Sequence, residues 1–81
     1  MSTIVIHTED LDSTVKRTVL DIIDFNFRFK NDEEKSVKEV IEDSLSTIEE
    51  SISSYYAGLS IEIDINLDIE LLEEEYMAVM V

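Results

Sequence analysis

The sequence predicts a small α+β domain: a single-layer sheet of three to four strands packed against one long amphipathic helix, with room for a second short helix. Three observations predict it. Residues 33–56 carry an apolar stripe at helical spacing, two segments (Ile23–Lys30 and Ser60–Leu72) alternate apolar and polar residues with a period of two, and Thr3–His7 is a short β-branched run.

In chain order, Thr3–His7 reads as a first strand, buried because Ile4, Val5 and Ile6 are apolar without alternation. Thr8–Asp12 is a polar break. Leu11, Val15, Val19 and Ile22 then recur at helical spacing, although Thr14, Val15, Thr18 and Val19 suit a strand equally, so residues 12–22 stay open between the two. Ile23, Phe25, Phe27 and Phe29 alternate with Asp24, Asn26, Arg28 and Lys30, the pattern of a half-buried strand with an aromatic inner face. Asn31 and Asp32 break it and cap a helix from about Glu33 to Tyr56. Its stripe of Val37, Val40, Ile41, Leu45, Ile48, Ile52 and Tyr55 spans about 140° and is expected to pack on the sheet. Gly58, the only glycine, falls where a left-handed residue would end that helix. Residues 60–72 follow as an edge or hairpin strand, and the tail LLEEEYMAVMV reads as a last strand in preference to a short helix.

The 81 residues are read as one domain, 1–81, of a size whose small core favours self-association. Eleven isoleucines, three Phe and three Tyr supply enough apolar surface to fold. There is no cysteine, which excludes disulfides, thiolate zinc sites and thiol nucleophiles and suits the cytoplasm, or a host's cytoplasm for a phage-encoded chain. The N-terminal stretch has no basic segment and only a three-residue apolar run, so neither a secretory signal nor a membrane span is expected.

The charges carry the functional information. Twenty acids against six bases give a net charge of −14, and the six bases (Lys16, Arg17, Arg28, Lys30, Lys35, Lys38) all precede residue 39. Residues 1–38 therefore carry −2 and residues 39–81 carry −12. A field of this sign repels nucleic acid and anionic membrane, and its natural partner is a basic surface.

Catalytic and metal motifs are weaker than their bland alternatives. His7 is the only side chain that ordinarily titrates near neutrality, and it stands at a strand end without a recognisable nucleophile or orienting partner. Ser51, Ser53 and Ser54 have no G-x-S-x-G elbow around them, no glycine-rich phosphate loop exists, and DINLDIELLEEE lacks the central glycine of a calcium loop. Tyr55 and Tyr56, in the most acidic half, read as packing residues. No enzyme activity, cofactor or dedicated metal site is expected.

What remains is a pair of acidic rows. Along an extended strand Glu62, Asp64, Asp68 and Glu70 project to one side in steps of roughly 6.6 Å, with Asn66 between them. On the helix Glu39, Glu42, Asp43, Glu49 and Glu50 fall opposite the apolar stripe over about 16 Å. With Glu73, Glu74 and Glu75 these acids form the expected partner-binding surface. Regularly spaced fixed negative charge is what a nucleic-acid-binding protein recognises in a phosphate backbone, so the expectation is a charge mimic that occupies the basic groove of a DNA- or RNA-binding protein.

In size, charge and lack of cysteine the chain resembles the small acidic inhibitors that phages and mobile elements direct at host nucleases, restriction enzymes, CRISPR effectors and uracil-DNA glycosylase. The resemblance implies evasion of host defence, as by an anti-CRISPR or anti-restriction protein, and carries over no individual residue. Three alternatives stand beside it: a homodimeric scaffold or assembly subunit pairing through Tyr76–Val81, an acidic antitoxin-like partner of a basic protein, and a halophile's general acidity.

Overall fold

The structure, a computed structural model, describes residues 3–59 and 61–81; Ser60, which opens the alternating segment in sequence, lies outside them. It is an α+β fold of three helices and two parallel strands: β1 (Thr3–His7), α1 (Ser13–Phe29), α2 (Val37–Tyr55), β2 (Glu62–Asn66) and α3 (Ile69–Val79), with one 3₁₀ turn at Thr8–Asp10. The molecule is elongated, 43 × 21 × 18 Å. Parallel strands need a long crossover, and here the α1–α2 hairpin supplies it.

β1 forms as expected, but it is not a buried run. Ile6 is buried, whereas Ile4 and Val5 are 46% and 45% exposed, because the sheet has two strands rather than three or four and its outer face is uncovered. The register sets Ile4 beside Ile63 and Ile6 beside Ile65 on the inner face, and Thr3, Val5 and His7 beside Glu62, Asp64 and Asn66 on the outer one.

The largest departure from the sequence reading is α1. Residues 12–22 are helical from Ser13 onward, and the helix continues through the expected aromatic strand to Phe29. The residues at 23–30 satisfy both periods, and the helical one prevails because it extends a stripe already running through Val15, Val19, Leu20 and Ile23, all buried. Its exposed side gains i,i+4 partners: Arg17 with Asp21 (3.2 Å), Arg28 with Asp24 (2.6 Å), and the Phe25 and Phe29 rings with centroids 5.5 Å apart. Asp12 caps the helix, its carboxylate accepting the Val15 N–H at 3.0 Å.

The turn after α1 also differs. Asn31 does not cap α2; its side chain bonds both the N–H and the carbonyl of Lys35, each at 2.8 Å, closing a loop in which Glu34 takes φ 54°. Ser36 caps α2 four residues later than expected, its hydroxyl oxygen accepting the Glu39 N–H at 3.3 Å and the hydroxyl lying 3.4 Å from the Glu39 carboxylate. The α2 stripe of Val40, Ile41, Ile48 and Ile52 is buried against α1, and next against α3, rather than against the sheet. Tyr55, at its end, is exposed. α1 and α2 lie antiparallel, tied by Asn26 donating to Ser44 (2.9 Å) near one end and Tyr55 donating to Asp12 (3.0 Å) at the other. Gly58 does not adopt a left-handed conformation: α2 ends through a run of tight turns, with Tyr56 N–H on Ile52, Ala57 N–H on Ser54 and Leu59 N–H on Tyr56.

The tail is helix, not strand. β2 stops at Asn66, and Asp68 caps α3 by accepting the Leu71 N–H at 3.2 Å. The helical face then buries Leu72 and Tyr76, i,i+4 neighbours, in the core. Buried Thr8 accepts the Asp68 N–H on its hydroxyl at 2.7 Å, joining the end of β1 to the start of α3.

Candidate functional site: two acidic surfaces

The acids expected to act together divide between elements. Glu39, Glu42, Asp43, Glu49 and Glu50 lie on α2, all exposed and all within about 120° on the side opposite the buried stripe, so this row forms as expected. Exposed Ser46 and Ser53 fall on the same side, giving a polar face with no apolar residue in it.

The second row does not form. Glu62 and Asp64 project from the outer face of β2 beside Asn66, but the strand ends there. Asp68 spends its carboxylate on the α3 cap, and Glu70 lies in the first turn of that helix, where the macrodipole favours an acid. The strand reading puts all four in line because the alternation Ile65, Leu67, Ile69, Leu71 runs unbroken through the junction; the Asp68 cap, three residues before Leu71, is the signal of a helix start. Of the three consecutive glutamates of α3, only Glu74 is exposed. Glu73 and Glu75 are half-buried, and Glu75 pairs with Lys16 at 3.3 Å while its other oxygen, buried, has no hydrogen-bond partner among the described residues.

Five of the six bases are engaged locally, and exposed Lys38 on α2 has no ion-pair partner among the described residues. Arg17, Arg28 and Lys16 pair as above, Lys35 bonds Asp43 at 2.6 Å and lies 3.8 Å from Glu33, and Lys30 sits 5.5 Å over the Phe25 ring. The hydrogen bond from Lys35 to Asp43, with their mutual attraction and that of Glu33, holds the lysine above its usual value. Asp43 is thus largely answered within the chain. Of the twelve acids from Glu39 onward, only Asp43 and Glu75 lie within ion-pairing distance of a base among the described residues.

One charged cluster was not visible in sequence. The Tyr76 hydroxyl, toward the C-terminal end of α3, donates to Asp24 at 2.7 Å, and Arg28 donates to the same oxygen and to the Met80 carbonyl at 3.1 Å. The tyrosine's hydrogen bond, followed by that of the arginine, holds Asp24 below the usual carboxyl value. Burial, then the Asp24 bond, pushes the Tyr76 hydroxyl up to about 12. The cluster links the α1 and α3 C-terminal ends, and with Tyr76 fully buried its arrangement is that of a structural joint.

The alternatives for chemistry find little support in geometry. His7 is half-buried; Asn66 Nδ2 lies 3.4 Å from its Nδ1, and its backbone N–H donates to Asp10 at 3.0 Å. No three His, Asp or Glu side chains among the described residues converge as metal ligands would. An open groove of about 370 Å³ at the α1–α2 turn is lined by Asn26, Lys30, Asn31, Lys35, Asp43 and Ser44, whose polar groups are mostly bonded to one another. No helix is long and apolar enough to cross a membrane among the described residues. No known protein family, curated protein or solved structure matches the chain.

Proposed function

We propose that this protein is a small acidic inhibitor that presents nucleic-acid-like charge to the basic groove of a DNA- or RNA-binding protein and blocks it. The observation that carries this reading is the contrast in pairing: ten of the twelve acids in the base-free half have no ion-pair partner among the described residues. Keeping Glu39 and Glu42 one turn apart costs a few tenths of a kcal/mol as a like-charged i,i+3 pair, and the one-sided charge weakens the fold through self-repulsion. Ordinary solubility does not need so one-sided an arrangement.

The proposed binding surface is drawn from the acids that stand exposed and unpaired among the described residues. It consists of the α2 face, Glu39, Glu42, Glu49 and Glu50, and of Glu62 and Asp64 on β2, with Glu70 and Glu74 flanking on α3. Asp68, Asp43 and Glu75 support the structure. The α2 face supplies a rigid row because its opposite side is buried, and a rigid charge row loses little entropy on binding. Association would be steered electrostatically and weakened by salt. The class of target, a host nuclease or CRISPR effector, follows from compositional resemblance alone.

The test is capture from a cell extract on the immobilised protein, with a salt gradient to elute. Recovery of nucleic-acid-binding proteins that leave the matrix between low and high salt is the expected result. Recovery of a single small basic toxin-like protein, or of proteins that salt does not release, would overturn the reading.

A further inference from the structure

The sheet is the least finished part of the fold. Parallel strands are ordinarily buried on both faces and neighboured on both sides, yet here two parallel strands stand alone, each with an unpaired edge among the described residues. The two edges differ. β2 carries Glu62 and Asp64, charges of the kind that protect an edge from a second copy of the same chain. β1, Thr-Ile-Val-Ile-His, carries no acid and no Lys or Arg, and Ile4 and Val5 are half exposed on its two opposite faces. On a chain of net charge −14 this is a neutral, apolar, hydrogen-bonding strip.

From this we infer that β1 is a homodimerisation edge: two copies pair β1 against β1 antiparallel across a two-fold axis, forming one four-stranded sheet in the order β2-β1-β1-β2. A second copy fits the strip better than a basic partner does. A basic surface gains nothing from an uncharged strand when acidic faces lie elsewhere, while two copies of a polyanion can meet closely only where neither presents charge. Full overlap of the five-residue strand sets Val5 on the axis, Ile4 against Ile6 of the second copy, and Thr3 against His7, so that no like charges are opposed and the exposed apolar side chains are covered. The half exposure of Ile4 on the inner face, where Ile63 is better covered, leaves room beneath the β1 edge for the second copy. The joined sheet would carry Glu62 and Asp64 twice on one face, the two Asp64 positions roughly 14 Å apart across three strand spacings. This inference stands apart from the proposed inhibitor function.

The chain has no cysteine, which allows a direct geometric test. In the proposed dimer the two Val5 Cα atoms lie about 4.5–5.5 Å apart, inside the range a disulfide accepts, whereas the two Asp64 positions are about 14 Å apart and outside it. Under mild oxidation in about 1 M NaCl, where the Debye length falls to about 3 Å, Val5→Cys should become a covalent dimer and Asp64→Cys should not. Sedimentation of the unmodified protein should show the mass rising from 9.3 kDa toward twice that value as salt is raised, the opposite salt dependence from binding a basic partner. Val5→Lys keeps the fold, since Asp64 is its neighbour in register, but sets two lysines together on the axis and should hold the mass at that of one chain. A monomer at every salt concentration, a dimer that survives Val5→Lys, or equal cross-linking at positions 5 and 64 would overturn the inference.

Discussion

The α1 side of the molecule and the base-free side use the same residue types to opposite ends. Around α1 the carboxylates of Asp21 and Asp24 are answered by Arg17 and Arg28, and Glu75 reaches across from α3 to Lys16. On the exposed faces of α2 and β2, Glu42, Glu49, Glu50, Glu62 and Asp64 form no ion pair among the described residues. In the first arrangement the Lys16–Glu75 pair joins α1 to α3, while the two arginine pairs brace α1 along its own length. The second forms no such pairs and, by mutual repulsion, opposes cohesion, which is why it is the surface proposed to meet a partner.

Substitutions on the two sides should therefore separate stability from binding. The largest stability effect belongs to the paired side: Tyr76→Ala removes a fully buried aromatic and should cost about 3–5 kcal/mol in urea unfolding. Tyr76→Phe removes only the hydroxyl bond to Asp24 and should cost about 1 kcal/mol. On the unpaired side, replacing Glu42, Glu49, Glu62 and Asp64 together with lysine should reduce affinity for the captured partner by at least about ten-fold, or 1.4 kcal/mol, with the melting temperature unchanged or raised. Asp68→Ala distinguishes the two classes of acid sharply. As a cap it should lower stability by about 1 kcal/mol, and partner binding should stay within about two-fold.

The smallest effect lies in the acid range. Asp24 and Asp12 both titrate below the ordinary value of 3.8 in the folded chain, Asp24 through Tyr76 and Arg28, Asp12 through the Val15 N–H and Tyr55. A lowered folded value means that their contribution is complete above pH 3.8 and is lost as pH falls through the folded values beneath it. Asp24→Asn should accordingly lose stability at neutral pH and show a shallower decline than the parent below about pH 4 when unfolding midpoints are compared.

The same contrast explains what could be read from sequence. The charge asymmetry, the α+β class, β1 and the acidic face of α2 were legible because each depends on local composition or on a long, consistent period. Two alternating segments were not equally legible. IIDFNFRF and IEIDIN share a period of two, yet the first is helix and the second strand. The first extends a helical stripe and supplies i,i+4 ion pairs, while the second has β-branched residues at every inner position and β1 beside it in register. The acidic row failed at Leu67–Asp68 for a related reason: a cap residue and a strand residue are both acidic and exposed, and what separates them is the Leu71 N–H that the Asp68 carboxylate accepts.

The most direct test of the central claim is displacement of a fluorescent DNA duplex from the captured partner by this protein, compared with the variant that combines Glu42→Lys, Glu49→Lys, Glu62→Lys and Asp64→Lys. The acidic protein should displace the duplex, less effectively as salt rises, and the fourfold variant should fail to do so while remaining folded. Binding of the protein and the duplex together, or equal displacement by both forms, would contradict the account.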